Sequence, residues 1–341
     1  MVVKNQHYVP QSYLRNFTNE QTLIFSFDKF KHKSFQSNVK NIASETYFYD
    51  FPQDAEGNKR VQKMEKFFSE LEGKASRFTL HIQKKVEGIF SLRNLGKAYS
   101  INVLTPDQKL DLSCLIAIQA LRTRDFRNFL IEMFQKSQPI ANDITEVYTI
   151  ESLKKFEEEY SVKLNEALVE QIKSIGAGIG FSISNLLKTD GISIVQAQFI
   201  FDHYKELSET LLNHIWMIGI NETGQPLYTS DHPVVKHRHK DFSGYSSEGI
   251  EIVYPFDKRI LIIILERNHF QKCISLDRKL YPLTFEDIRY YNGLQVFHSN
   301  RMVFCSEDKF DLAREICQNY PEVCNEEKNR IQLKTPQPLS E

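Results

Sequence analysis

The carboxy-terminal half of the chain contains a dense run of short apolar segments, which restricts the fold more than any other feature. Four segments, HIWMIGI, PLYTSDHPVV, GIEIVYPF and RILIIIL, follow one another between residues 214 and 265. Each is rich in β-branched and aromatic residues and is bounded by turn residues, a pattern that predicts strands. The run Ile260–Leu265 has the length of a buried strand. We therefore predict antiparallel strands here, with NETGQ (residues 221–225) as a hairpin turn.

The amino-terminal segment also carries strand signals. TLIFSFDKFKHKSFQSN (residues 22–38) alternates apolar and polar residues and predicts a strand, a turn and a second strand. IASETYFYDF (42–51) predicts a short aromatic strand, and RMVFCS (301–306) predicts a last strand near the other end. Neither set has enough strands to bury both faces alone. We therefore predict that residues 5–50 and 215–305 pack together in one unit.

The middle of the chain, residues 60–213, carries helical signals. Apolar residues recur at spacings of three and four in a helix that starts near Val61. Thr105, as N-cap, and Pro106 start the long apolar helix LDLSCLIAIQALRTRDFRNFLIEMF. Another helix, TFEDIRYYNGLQVFHSN, follows the strand-rich run and is capped by Thr284.

These elements predict an α+β fold class, with a mixed or antiparallel sheet built from amino- and carboxy-terminal strands and a helical middle section. A single domain is expected over residues 1–325. The polar, proline-containing tail over residues 326–341 is expected to be disordered.

Charge and hydropathy restrict the classes of function. The chain has 43 Lys and Arg residues against 44 Asp and Glu residues, so its net charge is -1. A protein that coats DNA non-specifically is usually basic, so this class is disfavoured, whereas a local basic groove stays open. No apolar run approaches the length of a membrane span, and the amino terminus has no signal-peptide pattern. We therefore expect a cytoplasmic protein without a membrane partner.

The cysteines indicate a reducing compartment. The chain has five of them, Cys114, Cys273, Cys305, Cys317 and Cys324. Their number is odd and no two have the close spacing of zinc ligands, which argues against a structural zinc site and for reduced thiols. Cys317 and Cys324 are seven residues apart and are expected to share a helix face or to flank its end.

Two polar clusters fall on predicted helices. Glu65 and Glu72 are two helical turns apart, so both carboxylates point the same way, either into a site or to solvent. Gln119 and Arg122 lie among apolar residues of the long helix. A buried arginine needs a partner, so we expect Arg122 to be mostly buried and to contact Glu65 or Glu72. Such a pair would be a structural ion pair or an anion site.

Two further clusters fall in the strand-rich run. The segment Ser-Asp-His-Pro (residues 230–233) places Asp231 at a strand end, although the same pattern is turn chemistry in which Asp231 accepts backbone N–H groups. In KHRHK (residues 236–240), His237 and His239 share a face if the segment is a strand, and could then bind a metal. A basic loop near a phosphate and a plain surface loop are the alternatives.

The amino terminus begins with the aromatic-rich segment NQHYVPQSYLRNF, residues 5–17. Pro10 fits the first turn of a helix, which places His7 just before that helix. Either Tyr8 and its apolar neighbours are core and His7 is a hydrogen-bonded anchor, or His7 is delivered into a site. The residues alone leave both interpretations open.

Three stretches together resemble one bacterial family. HYVPQSYLRNF, TSDHPVV and NGLQVFHSNRMVFCS are similar to the family called domain of unknown function 4238, over residues 5 to 310. The matching residues are His7, Tyr8 and Pro10 of a His-Tyr-x-Pro motif, Glu65 and Glu72 of a Glu-x6-Glu helix, Ser230, Asp231 and Pro233 of a Ser-Asp-x-Pro motif, and Asn292 of a late helix. His232 departs from the Asn expected within Ser-Asp-x-Pro. The occurrence of members among anti-phage defence genes implies a toxic or nucleic-acid-targeting effector.

With this resemblance, we expect the motif residues to converge on a single polar pocket. The expected catalytic residues are His7, Glu65, Glu72, Asp231 and Asn292, with His7 as general acid or base. The expected substrate-binding residues are Tyr8, Gln119, Arg122 and Ser230, with Arg122 stabilising an anion. The carboxylates would orient His7 or hold a divalent cation such as magnesium.

Such a set suits phosphodiester cleavage, so the first hypothesis is a defence-associated nuclease. RNA is favoured over duplex DNA, because the near-neutral charge gives weak electrostatic capture of a long polyanion. The second hypothesis is a non-enzymatic sensor that binds a nucleotide or a phage-encoded trigger. The third is a hydrolase or transferase that acts on a nucleotide.

Overall fold

The computed structural model describes residues 4–19, 23–49, 63–136 and 191–325. The chain forms two compact units: the first comprises residues 1–50, 61–126 and 197–328, and the second comprises residues 51–60, 127–196 and 329–341. Of the second unit, residues 127–136 and 191–196 are described, and they are helical. One domain over residues 1–325 stays a prediction, and the tail predicted to be disordered lies outside the described residues.

The described elements mix helices and strands, which confirms the α+β class. The strands are β1 (Asn5–His7), β2 (Leu23–Asp28), β3 (Lys33–Asn38), β4 (Ser44–Thr46), β5 (Ile215–Asn221), β6 (Thr229–Ser230), β7 (Val235–Arg238), β8 (Ile250–Pro255), β9 (Ile260–Leu265), β10 (Leu280–Leu283) and β11 (Met302–Cys305). The helices include α1 (Gln11–Leu14), α2 (Lys63–Phe90), α3 (Pro106–Leu121), α4 (Gly191–Asn213), α5 (Phe285–His298) and α6 (Asp311–Asn319). None of the described helices is long and apolar enough to span a membrane.

The larger sheet has five strands in the order β10-β5-β9-β8-β7. β10 runs parallel to β5, and the other neighbours are antiparallel. Every residue of β5, β8 and β9 is buried, as their almost continuous apolar sequences predict. Helix α5 packs against this sheet, where Ile288 and Leu294 join Val253 and Ile263 in one core cluster.

The smaller sheet has four antiparallel strands in the order β3-β2-β11-β6. Val303 of β11 lies opposite Phe27 of β2, so the amino-terminal hairpin shares a sheet with the carboxy-terminal strands, as predicted. Its core cluster includes Val296 of α5 and Ala313 of α6. Since α5 contributes to both clusters, it contacts both sheets. Strands β1 and β4 form a separate pair.

Three local predictions about strands and turns are wrong. NETGQ is a turn, in which the Asn221 side chain accepts the Thr223 N–H at 2.9 Å, but no hairpin forms, since β5 pairs with β9 and β10. PLYTSDHPVV is two strands, β6 and β7, in different sheets, because the chain crosses between the sheets at residues 231–234. The aromatic residues after β4 form a turn, with Tyr47 at a φ of 56°.

Helix α3 starts as predicted and ends earlier than predicted. Thr105 and Gln108 form a reciprocal capping box at its start. It ends at Leu121, and the chain becomes helical again from residue 124. The second start has its own cap, because Thr123 Oγ1 accepts the Phe126 N–H at 3.3 Å. The break makes Arg122 the C-terminal cap residue of α3.

Candidate functional site

A cavity of about 280 Å³ lies among α1, α2, α3 and the end of β8. Three of the predicted site residues line it: Glu72 from α2, and Gln119 and Arg122 from α3. The remaining wall is mixed, with apolar residues such as Leu115 and the aromatic ring of Tyr254. The cavity therefore combines a charged pair with apolar surface, the usual composition of a small-molecule site.

Arg122 is buried and paired, as its place among apolar residues predicted. Its side chain is 3 % exposed, and Nη1 lies 3.0 Å from Oε1 of Glu72. Nη2 donates to the carbonyl of His7 at 2.7 Å, and the guanidinium lies 3.9 Å from the ring centroid of Phe68. Tyr49 donates to the Arg122 carbonyl at 2.6 Å. Arg122 thus ties α2 and the amino-terminal segment to the end of α3.

His7 and Tyr8 are attached to α3 by their backbone carbonyls. Arg122 donates to His7 and Gln119 Nε2 donates to Tyr8, the latter at 3.2 Å. The Tyr8 ring is buried against Phe48, with the centroids 5.3 Å apart. Neither His7 nor Tyr8 lines the cavity.

The His7 side chain carries one unsatisfied nitrogen. Its Nδ1 lies 3.4 Å from Gln11 Nε2, whereas Nε2 is buried without a hydrogen-bond partner in the described structure. Burial lowers the pKa of His7, and the backbone of Val39 and the charge of Glu72 act in the opposite direction. The imidazole is therefore neutral at pH 7.

Asp231 lies in a different network, at the crossover between the two sheets. Its Oδ1 accepts the N–H of Asn300, and its Oδ2 accepts the N–H groups of Arg301 and Met302, each at 2.8 Å. Burial raises the pKa of Asp231, and these N–H groups act in the opposite direction. The carboxylate thus accepts backbone N–H groups, but from the distant start of β11 and not from a local turn of the Ser-Asp-His-Pro segment.

Ser230 and Asn292 serve the same crossover. Ser230 Oγ donates to Gln295 Oε1 of α5 at 2.8 Å. Asn292 Oδ1 accepts the Tyr228 N–H at 2.7 Å, and its Nδ2 donates to the Pro226 carbonyl at 2.9 Å. Both side chains therefore fix the path of the chain into β6.

The predicted residues do not form a single pocket in the described structure. Glu72, Gln119 and Arg122 line the cavity, and no hydrogen bond or ion pair joins His7 to Asp231. Glu65 lies on the same helix as Glu72 but outside the cavity lining. Among the described residues, none of these carboxylates belongs to a group of three ligands close enough to share a metal ion.

A second group of titratable residues lies on the edge of the five-stranded sheet. His239 Nε2 lies 2.9 Å from Oε2 of Glu251, a buried carboxylate on β8. Tyr290 and Tyr291 of α5 donate to the two oxygens of Glu251 at 3.2 and 3.0 Å. The ring centroids of His237 and His239 are 4.7 Å apart. The strand alternation predicted for KHRHK therefore places both imidazoles on one face.

Burial and neighbouring charges shift the pKa values of three groups in this histidine–glutamate cluster, His237, Tyr290 and Tyr291. Burial and then the charge of His239 lower the pKa of His237, while Glu251 acts in the opposite direction. Burial and the charge of Glu251 raise the pKa of Tyr290 and of Tyr291, so both phenols stay protonated donors. Glu251 was not among the site residues predicted from the sequence. The one signal that could have identified it is that it is the only carboxylate in the apolar segment GIEIVYPF.

The comparison with family models decides the classification. The model described as protein of unknown function, DUF4238, matches residues 5–309. The chain belongs to the DUF4238 family. No curated protein matches the chain, and no solved structure matches it. The part matched to DUF4238 contains both the cavity and the histidine–glutamate cluster, and it ends before α6.

Proposed function

We propose that this DUF4238 protein is an RNA-cleaving effector of antiviral defence, and that the histidine–glutamate cluster performs the cleavage. One observation carries the proposal: a buried carboxylate is hydrogen-bonded to one imidazole of a closely spaced pair on a sheet edge. A carboxylate that orients a histidine for acid–base work is a recurrent catalytic arrangement.

Glu251 determines which nitrogen of His239 is available. An ionised carboxylate only accepts hydrogen bonds, so Nε2 of His239 carries a proton and Nδ1 faces away from Glu251. Nδ1 has no hydrogen-bond partner among the described residues. The side chain is 35 % exposed, so a substrate can reach it. His239 can therefore act as the acid when protonated.

The proposed reaction uses the 2′-hydroxyl of RNA as nucleophile. Neutral His237 takes the 2′-hydroxyl proton while that oxygen attacks phosphorus. The bond to the 5′-oxygen breaks, and protonated His239 gives its Nδ1 proton to the leaving oxygen. The products are a 2′,3′-cyclic phosphate and a 5′-hydroxyl. DNA lacks the 2′-hydroxyl and is not cleaved, in keeping with the preference for RNA.

The direct test is cleavage of single-stranded RNA and of DNA with the same sequence. His237→Asn, His239→Asn and Glu251→Gln should each reduce the rate by about 10²- to 10⁴-fold, the usual contribution of acid–base groups. His203→Asn, at an exposed histidine of α4, is the matched control. RNA cleavage that is absent from the wild type, or equal in all variants, would refute the proposal. Phage plating on cells that express the same variants tests the defence role.

A nucleotide sensor is the second candidate, favoured by the cavity. Its volume is near the lower end of small-molecule sites, and Glu72 offers a hydrogen-bond acceptor beside apolar surface. Nucleotides should raise the melting temperature of the wild type, and Thr79→Leu, which fills the cavity, should remove the shift. Equal shifts in both proteins would exclude this cavity.

A further inference from the structure

Three potential metal ligands from distant parts of the sequence meet next to the smaller sheet. His32 lies in the turn between β2 and β3, Cys317 lies on α6, and Cys324 ends the short helix Pro321–Cys324. Their ligand atoms all lie within 4.8 Å of one another. The RNA-cleavage proposal uses none of them.

The chain on the histidine side is held in place. Asp28 Oδ1 accepts the N–H groups of Phe30 and Lys31 at 3.1 and 3.2 Å, which fixes the turn. His32 has a φ of 51°, the left-handed conformation that histidine adopts more often than most residues other than glycine, so it fits this tight turn.

The chain on the cysteine side is also held in place. Cys317 is buried in the core cluster of the smaller sheet. The Tyr320 N–H donates to the Ile316 carbonyl at 2.8 Å, and the Val323 N–H donates to the Tyr320 carbonyl at 3.0 Å. These bonds define the turn that brings Cys324 back towards Cys317.

The donor set has a clear metal preference. One imidazole and two thiolates are typical zinc ligands, with bonds of about 2.0–2.1 Å to nitrogen and about 2.3 Å to sulfur. Tetrahedral geometry then requires ligand atoms about 3.5–3.8 Å apart. Since no two of these ligand atoms are more than 4.8 Å apart, each pair needs to close by about 1 Å at most to reach that geometry.

We propose that His32, Cys317 and Cys324 bind one zinc ion. Both thiols lose their protons to solvent when the ion binds. A solvent molecule completes the four ligands, as at other zinc sites with three protein ligands. The ion links α6 and the short helix after it to the amino-terminal hairpin. Both cysteines lie beyond residue 309, where the DUF4238 match ends, so the site is not a property of the matched region.

The test measures the metal directly and needs no enzymatic activity. The full chain, kept reduced, is dialysed against zinc and its metal content is measured. We expect about one zinc per chain, and cobalt in place of zinc should give the sulfur-to-metal charge-transfer band of thiolate ligation. Zinc should raise the melting temperature, and a chelator should reverse the increase.

Variants identify the ligands. Cys324→Ser and His32→Asn change side chains at or near the surface, so they should fold and lose zinc at equimolar concentration. Cys317→Ser should also lose zinc, and because it buries a hydroxyl it should destabilise the fold more than the other two variants. Cys114→Ser and Cys273→Ser are matched controls that should keep the metal, because neither thiol belongs to the cluster.

Three outcomes would overturn the proposal. They are the absence of zinc from the reduced wild type, full retention of zinc in Cys324→Ser and His32→Asn, and a Cys317–Cys324 disulfide that forms in place of metal binding when zinc is supplied. None of these outcomes depends on RNA cleavage, so failure here and failure of the proposed function are distinguishable.

Discussion

The substitution Asp231→Asn separates the structural role of this residue from a catalytic one. In the folded protein the carboxylate accepts three backbone N–H groups, one at Oδ1 and two at Oδ2. The residue is 1 % exposed. An asparagine has one acceptor oxygen and one NH₂ group, so it cannot satisfy all three donors in either orientation.

The expected loss of stability follows from counting these bonds. The better orientation keeps the oxygen at the Oδ2 position, which preserves two bonds and turns the NH₂ group towards the Asn300 N–H. One charge-assisted bond is lost and the other two become neutral, which together cost about 3–5 kcal/mol. Removal of a buried charge offsets about 1 kcal/mol of this cost. We therefore expect the free energy of unfolding to fall by about 2–4 kcal/mol.

Urea denaturation measures this change. The midpoint should fall while the slope against denaturant stays constant, since the folded structure is retained. Asp241→Asn, at an exposed aspartate near β7, should change stability by less than about 0.5 kcal/mol. An Asp231→Asn protein that unfolds like the wild type but lacks activity would refute the structural assignment and return Asp231 to the catalytic residues.

Three further predictions concern stability. The pKa of His7 in the folded protein is below its ordinary value of 6.5. The unfolded chain therefore binds this proton more readily, so the contribution of His7 to the free energy of unfolding is fully present above pH 6.5 and is lost as the pH falls below it. His7→Asn should reduce the slope of the unfolding free energy against pH by up to about 1.4 kcal/mol per unit. Glu72→Gln should cost about 1–3 kcal/mol in urea, less than a fully buried pair with Arg122 because Glu72 is 28 % exposed. Gly219→Ala should lower the melting temperature, because a Cβ would lie 2.9 Å from Leu283 Cδ2, an overlap that costs about 1–3 kcal/mol.

Local signals in the sequence were enough to predict those features that one segment determines by itself. The capping box at Thr105 depends on residues three apart, and the buried strands β8 and β9 follow from their apolar composition. The pairing of Arg122 with Glu72 was also predictable, because a guanidinium in an apolar helix must find an acceptor. These inferences need only the free energy of burial and the geometry of one helix or strand.

The sequence predicted that the amino-terminal hairpin joins the carboxy-terminal strands, but not which strands pair or where the chain changes sheet. The turn NETGQ has the same local chemistry whether the chain returns to its own sheet or crosses to the other one. The parallel pairing of β10 with β5 joins segments about 60 residues apart, which no local pattern encodes. The same limit applies to His32, which meets Cys317 and Cys324 only in the folded chain.

The recognisable motifs and the proposed chemistry lie in different places, because the motif side chains already use their hydrogen-bonding atoms to hold the fold. A catalytic side chain needs an atom that a substrate can reach. Both oxygens of Asp231 and both amide atoms of Asn292 are engaged by backbone groups. Nε2 of His7 has no partner in the part of the chain that the structure describes, but it is buried. The His239 ring is oriented by Glu251, its side chain is 35 % exposed, and its Nδ1 has no hydrogen-bond partner among the described residues. The motifs are therefore explained by the fold that they hold, and chemistry is expected where the fold leaves an atom unused.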